Sequence, residues 1–170
     1  MVDPILARDL MITGFETVGS GETLRAALRK LVALQDRTTE PSAVVVLDAD
    51  GQYQGLLTAH LLARSLCATW SPSDSEAGDD LALSKGLLVA ARQFLNRPIG
   101  ETLEQEVAVV GPGARLLEVI AAGSISRLEF LPVVEAGQIL GLVPVTAVFQ
   151  ATASLTLTPE HEGIRFDQDD

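Results

Sequence analysis

The chain has 170 residues, a formal net charge of −11 and 47% hydrophobic residues, with only 4% aromatics. That length holds one or two small domains with a core of Leu, Val and Ala. So acidic a chain suits no phosphate backbone, no apolar run approaches the roughly 20 residues of a membrane span, and the single Cys67 offers neither a disulfide nor a metal framework. The N-terminus shows no basic region followed by an apolar segment, so the expectation is a soluble cytoplasmic protein without membrane insertion or a nucleic-acid partner.

In chain order, Met1 to Met11 predicts a short lead-in helix, with Pro4 tolerated at its first position. Phe15 to Val18 predicts a brief strand, and Ser20-Gly21-Glu22 turns the chain. Leu24, Ala27, Leu28, Leu31 and Leu34 then recur at helical spacing over Thr23 to Gln35, with Arg25, Arg29 and Lys30 on the outer side. Asp36 to Ser42, containing Pro41, is a loop. Ala43 to Leu47 is a β-branched run that meets Asp50-Gly51, a pair suited to the positive φ of a tight hairpin. A second apolar run ends at Thr58, which caps a helix over Ala59 to Ala68. Ser71 to Asp80 is polar and acidic and predicts a solvated linker. Leu81 to Phe94 predicts an amphipathic helix that stops at Asn96-Arg97-Pro98. From Thr156 the acidic tail is expected to be frayed or docked on a partner.

The hairpin occurs twice. Leu131-Pro132-Val133-Val134-Glu135-Ala136-Gly137 leads into Ile139 to Val143, and Gly141-Leu142-Val143-Pro144 lines up with Gly55-Leu56-Leu57-Thr58. Upstream, Leu24 lines up with Leu116. The chain is therefore two copies of a strand–helix–strand–strand–helix unit, the first longer between Lys30 and Ser42.

Each unit resembles a CBS domain, and together they resemble a CBS pair, or Bateman module. The resemblance is carried by Ala7-Arg8-Asp9-Leu10-Met11, Thr17-Val18, Glu22-Thr23-Leu24 and Gly55-Leu56-Leu57-Thr58 in the first unit. Arg97-Pro98-Ile99-Gly100, Leu131 to Glu135 and Gly141-Leu142-Val143 carry it in the second. It spans Leu6 to Ala153. It implies an α/β fold of two CBS units (β-α-β-β-α) related by pseudo-twofold symmetry, with small three-stranded sheets packed against helices. The expected divisions are 1–70 for the first unit with its lead-in, 71–80 for the acidic linker, 81–155 for a linking helix and the second unit, and 156–170 for the tail.

The resemblance further implies a homodimer and a regulatory role toward a partner protein whose identity the sequence does not name. It implies a cleft for an adenosyl ligand such as AMP, ADP, ATP or S-adenosylmethionine. In the first unit that cleft would be built by Thr17, Val18, Ala43, Val44, Thr58, His60 and Arg64, and in the second by Val109, Val110, Phe130, Leu131 and Pro144. Family members hold the ribose hydroxyls with an Asp three residues after the Thr or Ser that ends the hairpin, because a carboxylate accepts both hydroxyl hydrogens. Here those positions are Leu61 and Ala147. The alternative to a sensor is a scaffold module that kept the fold and lost the site.

No catalytic constellation is visible, and no enzyme activity is expected. His60 and His161 do not stand in metal-ligand spacing, and Cys67 lies on an apolar helix face where a small thiol packs as a hydrophobe. His60 reads either as a ligand contact or as an exposed first-turn residue, and Arg64, one turn on, as a phosphate contact or a solvated cation.

Overall fold

A computed structural model describes residues 4–36, 42–69, 80–103, 108–125 and 129–157, and the structural statements below concern these. The loop at 37–41, all of the acidic linker before Asp80 and the tail from 158 lie outside them. Contacts divide the chain into two compact units that do not follow chain order. One comprises Gly14–Val107 with Val134–Ile139, and the other Met1–Thr13, Ala108–Val133 and Leu140–Asp170.

The first unit holds a three-stranded sheet in the order β1-β2-β3: β1 is Glu16–Gly19, β2 Ala43–Leu47 and β3 Tyr53–Thr58. β1 runs parallel to β2, so a crossover is required, and helix α2 (Leu24–Gln35) supplies it. β2 and β3 form the antiparallel hairpin. The Asp48 carboxylate accepts the N–H groups of Asp50 at 2.9 Å and Gln52 at 2.8 Å, while Gly51 takes φ 77°. An Asx turn thus closes the loop that Asp50-Gly51 announces.

Because side chains alternate along a strand, Val18, Val44, Val46 and Leu57 share the face that packs on helices. Against them lie Leu24, Ala27 and Leu31 of α2, and Leu61 and Leu62 of α3 (Ala59–Thr69). Phe94 of α4 (Asp80–Leu95) and Ile99 of a following 3₁₀ turn complete this core. The helix expected to lead into the second repeat therefore packs on the first. Leu24 N–H donates to Arg97 C=O at 3.0 Å, and Ile99 N–H to Glu22 C=O at 2.9 Å, fixing the chain beyond α4 against the start of α2.

The second unit contains α5 (Leu116–Ile125), strands β4 (Phe130–Glu135) and β5 (Gln138–Pro144), and α6 (Val145–Leu157); the strand tips at Val134–Ile139 cluster with the first. Its sheet has two strands, and Val110 adds only a single parallel bridge to Val133 where the repeat predicts a third strand. Gly111-Pro112-Gly113 follows at once, and a proline without an N–H between two glycines does not extend a ladder. Ala7, Val110, Val119, Leu131, Val133 and Val143 form the core.

The lead-in segment belongs to this second unit. Its helix α1 is only Ala7–Leu10, capped by the Asp9 carboxylate on the Leu6 N–H at 2.9 Å, so Pro4 lies ahead of it instead of within it. Leu116 N–H donates to Ile5 C=O at 2.9 Å, and Ala7 N–H to Ala114 C=O at 2.8 Å. Ile12 and Leu142 exchange both backbone bonds, at 2.8 and 3.0 Å, so the segment adds an antiparallel contact to β5.

The hairpin turn between β4 and β5 places Ala136 at φ 50° and Gly137 at φ 80°, both left-handed. At Gly137 a Cβ would run into the Gln52 side-chain amide, which can swing aside, so the backbone penalty dominates. Gly137→Ala is expected to cost about 1–2 kcal/mol, read as a lower urea midpoint with an unchanged slope; a midpoint equal to the parent's would show that the turn can be rebuilt at no cost.

Candidate ligand site of the first repeat

The seven residues expected at a ligand site divide by sheet face. Val18 and Val44 point into the helix-packed core, so only their backbone could meet a ligand. Thr17, Ala43 and Thr58 lie on the opposite face: Thr17 pairs with Val45, and Ala43 with Thr58 across the hairpin. Thr58 is 2% exposed. Its hydroxyl oxygen accepts the Leu61 N–H at 3.1 Å, which is the helix cap expected from its position at the end of β3. The hydroxyl hydrogen remains able to donate.

His60 and Arg64 are exposed on α3, four residues apart and so on one face of its first two turns. Arg64 already makes a polar interaction. Leu61, at the first ribose-Asp position, is buried in the helix-packed core, and Ala147, at the second, is half-buried. Neither side chain can accept a hydroxyl hydrogen.

Helical spacing puts Lys30 on the outer side of α2, yet it reaches the sheet. Its ammonium donates to the Thr17 carbonyl and lies 3.9 Å from the Glu16 carboxylate. The spacing holds no sign of this, because a four-carbon stem reaches a strand that the sequence does not show to be adjacent. In the second repeat, Phe130 and Leu131 are buried, Val109 is exposed, and Pro144 ends β5 without a hydroxyl. The first repeat thus carries Lys30 beside Thr17 on one side and His60 with Arg64 on α3, and the second has the uncharged Thr146 and Gln150 at the positions of His60 and Arg64.

Tyr53, at the start of β3, has a buried hydroxyl with no hydrogen-bond partner among the described residues, and burial pushes its phenol well above the ordinary value. It stays neutral near neutral pH. Among the described residues no group of three or more His, Cys, Asp or Glu could hold a metal ion, and no helix is long and apolar enough to cross a membrane.

Residues 7–67 match the family model of the CBS domain. Solved structures resemble the whole fold. A CBS-domain-containing protein from Agrobacterium tumefaciens matches at TM-score 0.62 and 19% identity, covering 86% of this chain and 92% of its own. A putative acetoin utilization protein from Vibrio cholerae matches at TM-score 0.59 and 21% identity, over 90% of this chain and 93% of its own. The cytosolic domain of the Mg²⁺ channel MgtE, solved in complex with ATP, matches at TM-score 0.60 and 22% identity, covering 86% of this chain and 48% of that one. No curated protein sequence matches the chain. Residues 7–67 thus match a CBS domain, and the chain as a whole is similar in fold to solved CBS-domain proteins. Its mixed α/β architecture, with a small sheet in each repeat, is that of the tandem CBS-pair structures.

Proposed function

We propose that this CBS pair is a non-catalytic regulatory module that acts in the cytoplasm as a homodimer. Its first repeat senses an adenine nucleotide or a related adenosyl compound and passes the change to a partner protein. The observation that carries this reading is the pairing of His60 and Arg64 on the first two turns of α3, directly after the Thr58 cap. A cation and a ring nitrogen there can meet phosphate and base, and the positive end of an eleven-residue helix dipole favours an anion. The ATP complex of the MgtE domain supports the ligand class, since that fold is similar to this one.

The scaffold reading is favoured by one observation, the burial of a leucine where the resemblance asks for an aspartate. Without that carboxylate, binding loses charge-assisted bonds of about 1.5–3 kcal/mol each. The sensor reading therefore predicts weak affinity with the phosphates as the main handle.

A thermal-shift screen with AMP, ADP, ATP and S-adenosylmethionine tests the choice, because a ligand that binds only the folded state raises its apparent stability. Thr58→Val is expected to weaken binding by about 0.5–1.5 kcal/mol, or roughly twofold to tenfold. It also removes the α3 cap, so affinity has to be titrated well below its lowered melting temperature. His60→Ala, an exposed change, weakens binding with no loss of fold, whereas Thr146→Val in the second repeat leaves it unchanged. Equal affinity in both first-repeat variants would move the site elsewhere, and no shift with any nucleotide at millimolar concentration would favour the scaffold.

A further inference from the structure

Six of the chain's twelve Lys and Arg residues stand on α2, on α4 or in the turn after α4, against one of its 23 acidic residues, Asp80. Four of the six converge. Arg25, on the first turn of α2, donates to the Asn96 side-chain oxygen at 3.2 Å, and Leu24 N–H donates to Arg97 C=O at 3.0 Å. These bonds set the start of α2 against the end of α4. Arg29 lies one turn on from Arg25 and Arg92 one turn back from Asn96, each on its neighbour's helix face. Arg29, Arg92 and Arg97 are exposed and Arg25 is half-buried. Among the described residues no carboxylate pairs with any of the four. Glu22, the acidic residue nearest to Arg25 along the chain, instead accepts the Gly19 N–H at 2.8 Å. Arg25 also occupies the helix end where the dipole opposes a cation, and that turn holds no acidic residue to offset it. In a chain of net charge −11, four cations left unpaired on one surface call for an anion from outside.

We propose that the surface formed by Arg25, Arg29, Arg92 and Arg97 binds an acidic segment of the partner protein, whose carboxylates meet the guanidinium groups. The planar fork of arginine matches a carboxylate two bonds at a time, which selects this anion by shape as well as charge. Exposed charges act over about 8–10 Å at physiological ionic strength, so the acidic remainder of the chain does not cancel the local field. It does decide between classes of partner. A duplex carries a charge about every 1.7 Å and would run on past the patch into the field of a strongly acidic chain, whereas a short acidic segment ends with the patch. The arginines are spread over two helices on an exposed surface, which suits several carboxylates along a peptide better than one small anion.

This rests on the part of the reading above that gives the chain a protein partner, and not on ligand sensing. A chain that binds no nucleotide leaves it standing, and His60→Ala should not alter it. The test is the fluorescence anisotropy of a labelled decapeptide of alternating Glu and Ser, titrated with the full chain at about 50 mM salt. Saturable binding is expected for this peptide and none for its Gln analogue. At about 200 mM salt the binding should weaken several-fold, as exposed ion pairs are screened. Arg29→Gln combined with Arg92→Gln removes two exposed charges and should raise the dissociation constant about threefold to tenfold. The melting temperature should not move, because Gln is a comparable helix former. Arg25→Glu puts the charge that the dipole favours on the first turn of α2, so binding should be lost without loss of the fold. Arg8→Gln, the same loss of an exposed charge in the other unit, should bind as the parent does. No binding by the parent, equal binding of the Gln analogue, or an equal loss in Arg8→Gln overturns the proposal. A labelled oligothymidylate that the parent holds more tightly than the peptide, and the double variant releases, also overturns it and makes the face a nucleic-acid surface.

Discussion

Gly141→Ala is expected to lower the stability of the second repeat by about 2–3 kcal/mol, and Gly141→Val by more. Gly141 sits in β5 beside the lead-in segment. A Cβ at this position would lie 2.7 Å from the Met11 sulfur and 2.8 Å from the Ile12 carbonyl oxygen. The sulfur can shift, but the carbonyl cannot, because Ile12 exchanges both its backbone hydrogen bonds with Leu142. Relief of the clash means giving up those bonds, each worth about 1 kcal/mol net, together with the packing of Met11 on the core. In a chain of this size that corresponds to a drop of roughly 4–12 °C in melting temperature. Native-state hydrogen exchange should locate the damage, with Ile12 and Leu142 losing protection first. A melting temperature within a degree of the parent's would mean that the lead-in contributes nothing to the fold.

Leu57→Ala is expected to remove about 3–4 kcal/mol, within the range for leucine deletions that leave a cavity. Leu57 is fully buried in β3, opposite Val44, and packs in the core that α2, α3 and α4 share. All three helices depend on it, so the surroundings have little freedom to collapse into the space. The residue also precedes Thr58, so the cap of α3 should loosen with it. The control is Leu117→Ala on α5, the same chemical deletion at a side chain that is mostly in water, where a change below about 0.5 kcal/mol is expected. The difference between the two urea midpoints measures burial alone. Equal midpoints would show that β3 is not part of the cooperative core.

Much of the first repeat is legible in the order of its residues. The Leu24, Ala27, Leu31 spacing marks the buried stripe of α2, and all three are in its core. Asp50-Gly51 marks the hairpin, and Thr58 the helix start that its hydroxyl caps. That His60 and Arg64 share one face of α3 follows from helical spacing, whereas Lys30 beside Thr17 depends on α2 lying over β1.

Local signals decided the elements because each is a property of neighbours in the chain: period 3.6 for α2, short apolar runs for β2 and β3, a positive φ at Gly51 and Gly137. By itself the sequence also determined the repeat, and with it the resemblance to the CBS domain. Only the tertiary structure decided which element completes which core. The lead-in helix α1 packs on the second repeat and α4 on the first, although chain order suggested the reverse for both. An amphipathic stripe states that a face must be buried and is silent about what buries it. That choice belongs to contacts between residues far apart in the chain, as between Ile12 and Leu142, where shape and free hydrogen-bonding groups meet only after the chain has folded.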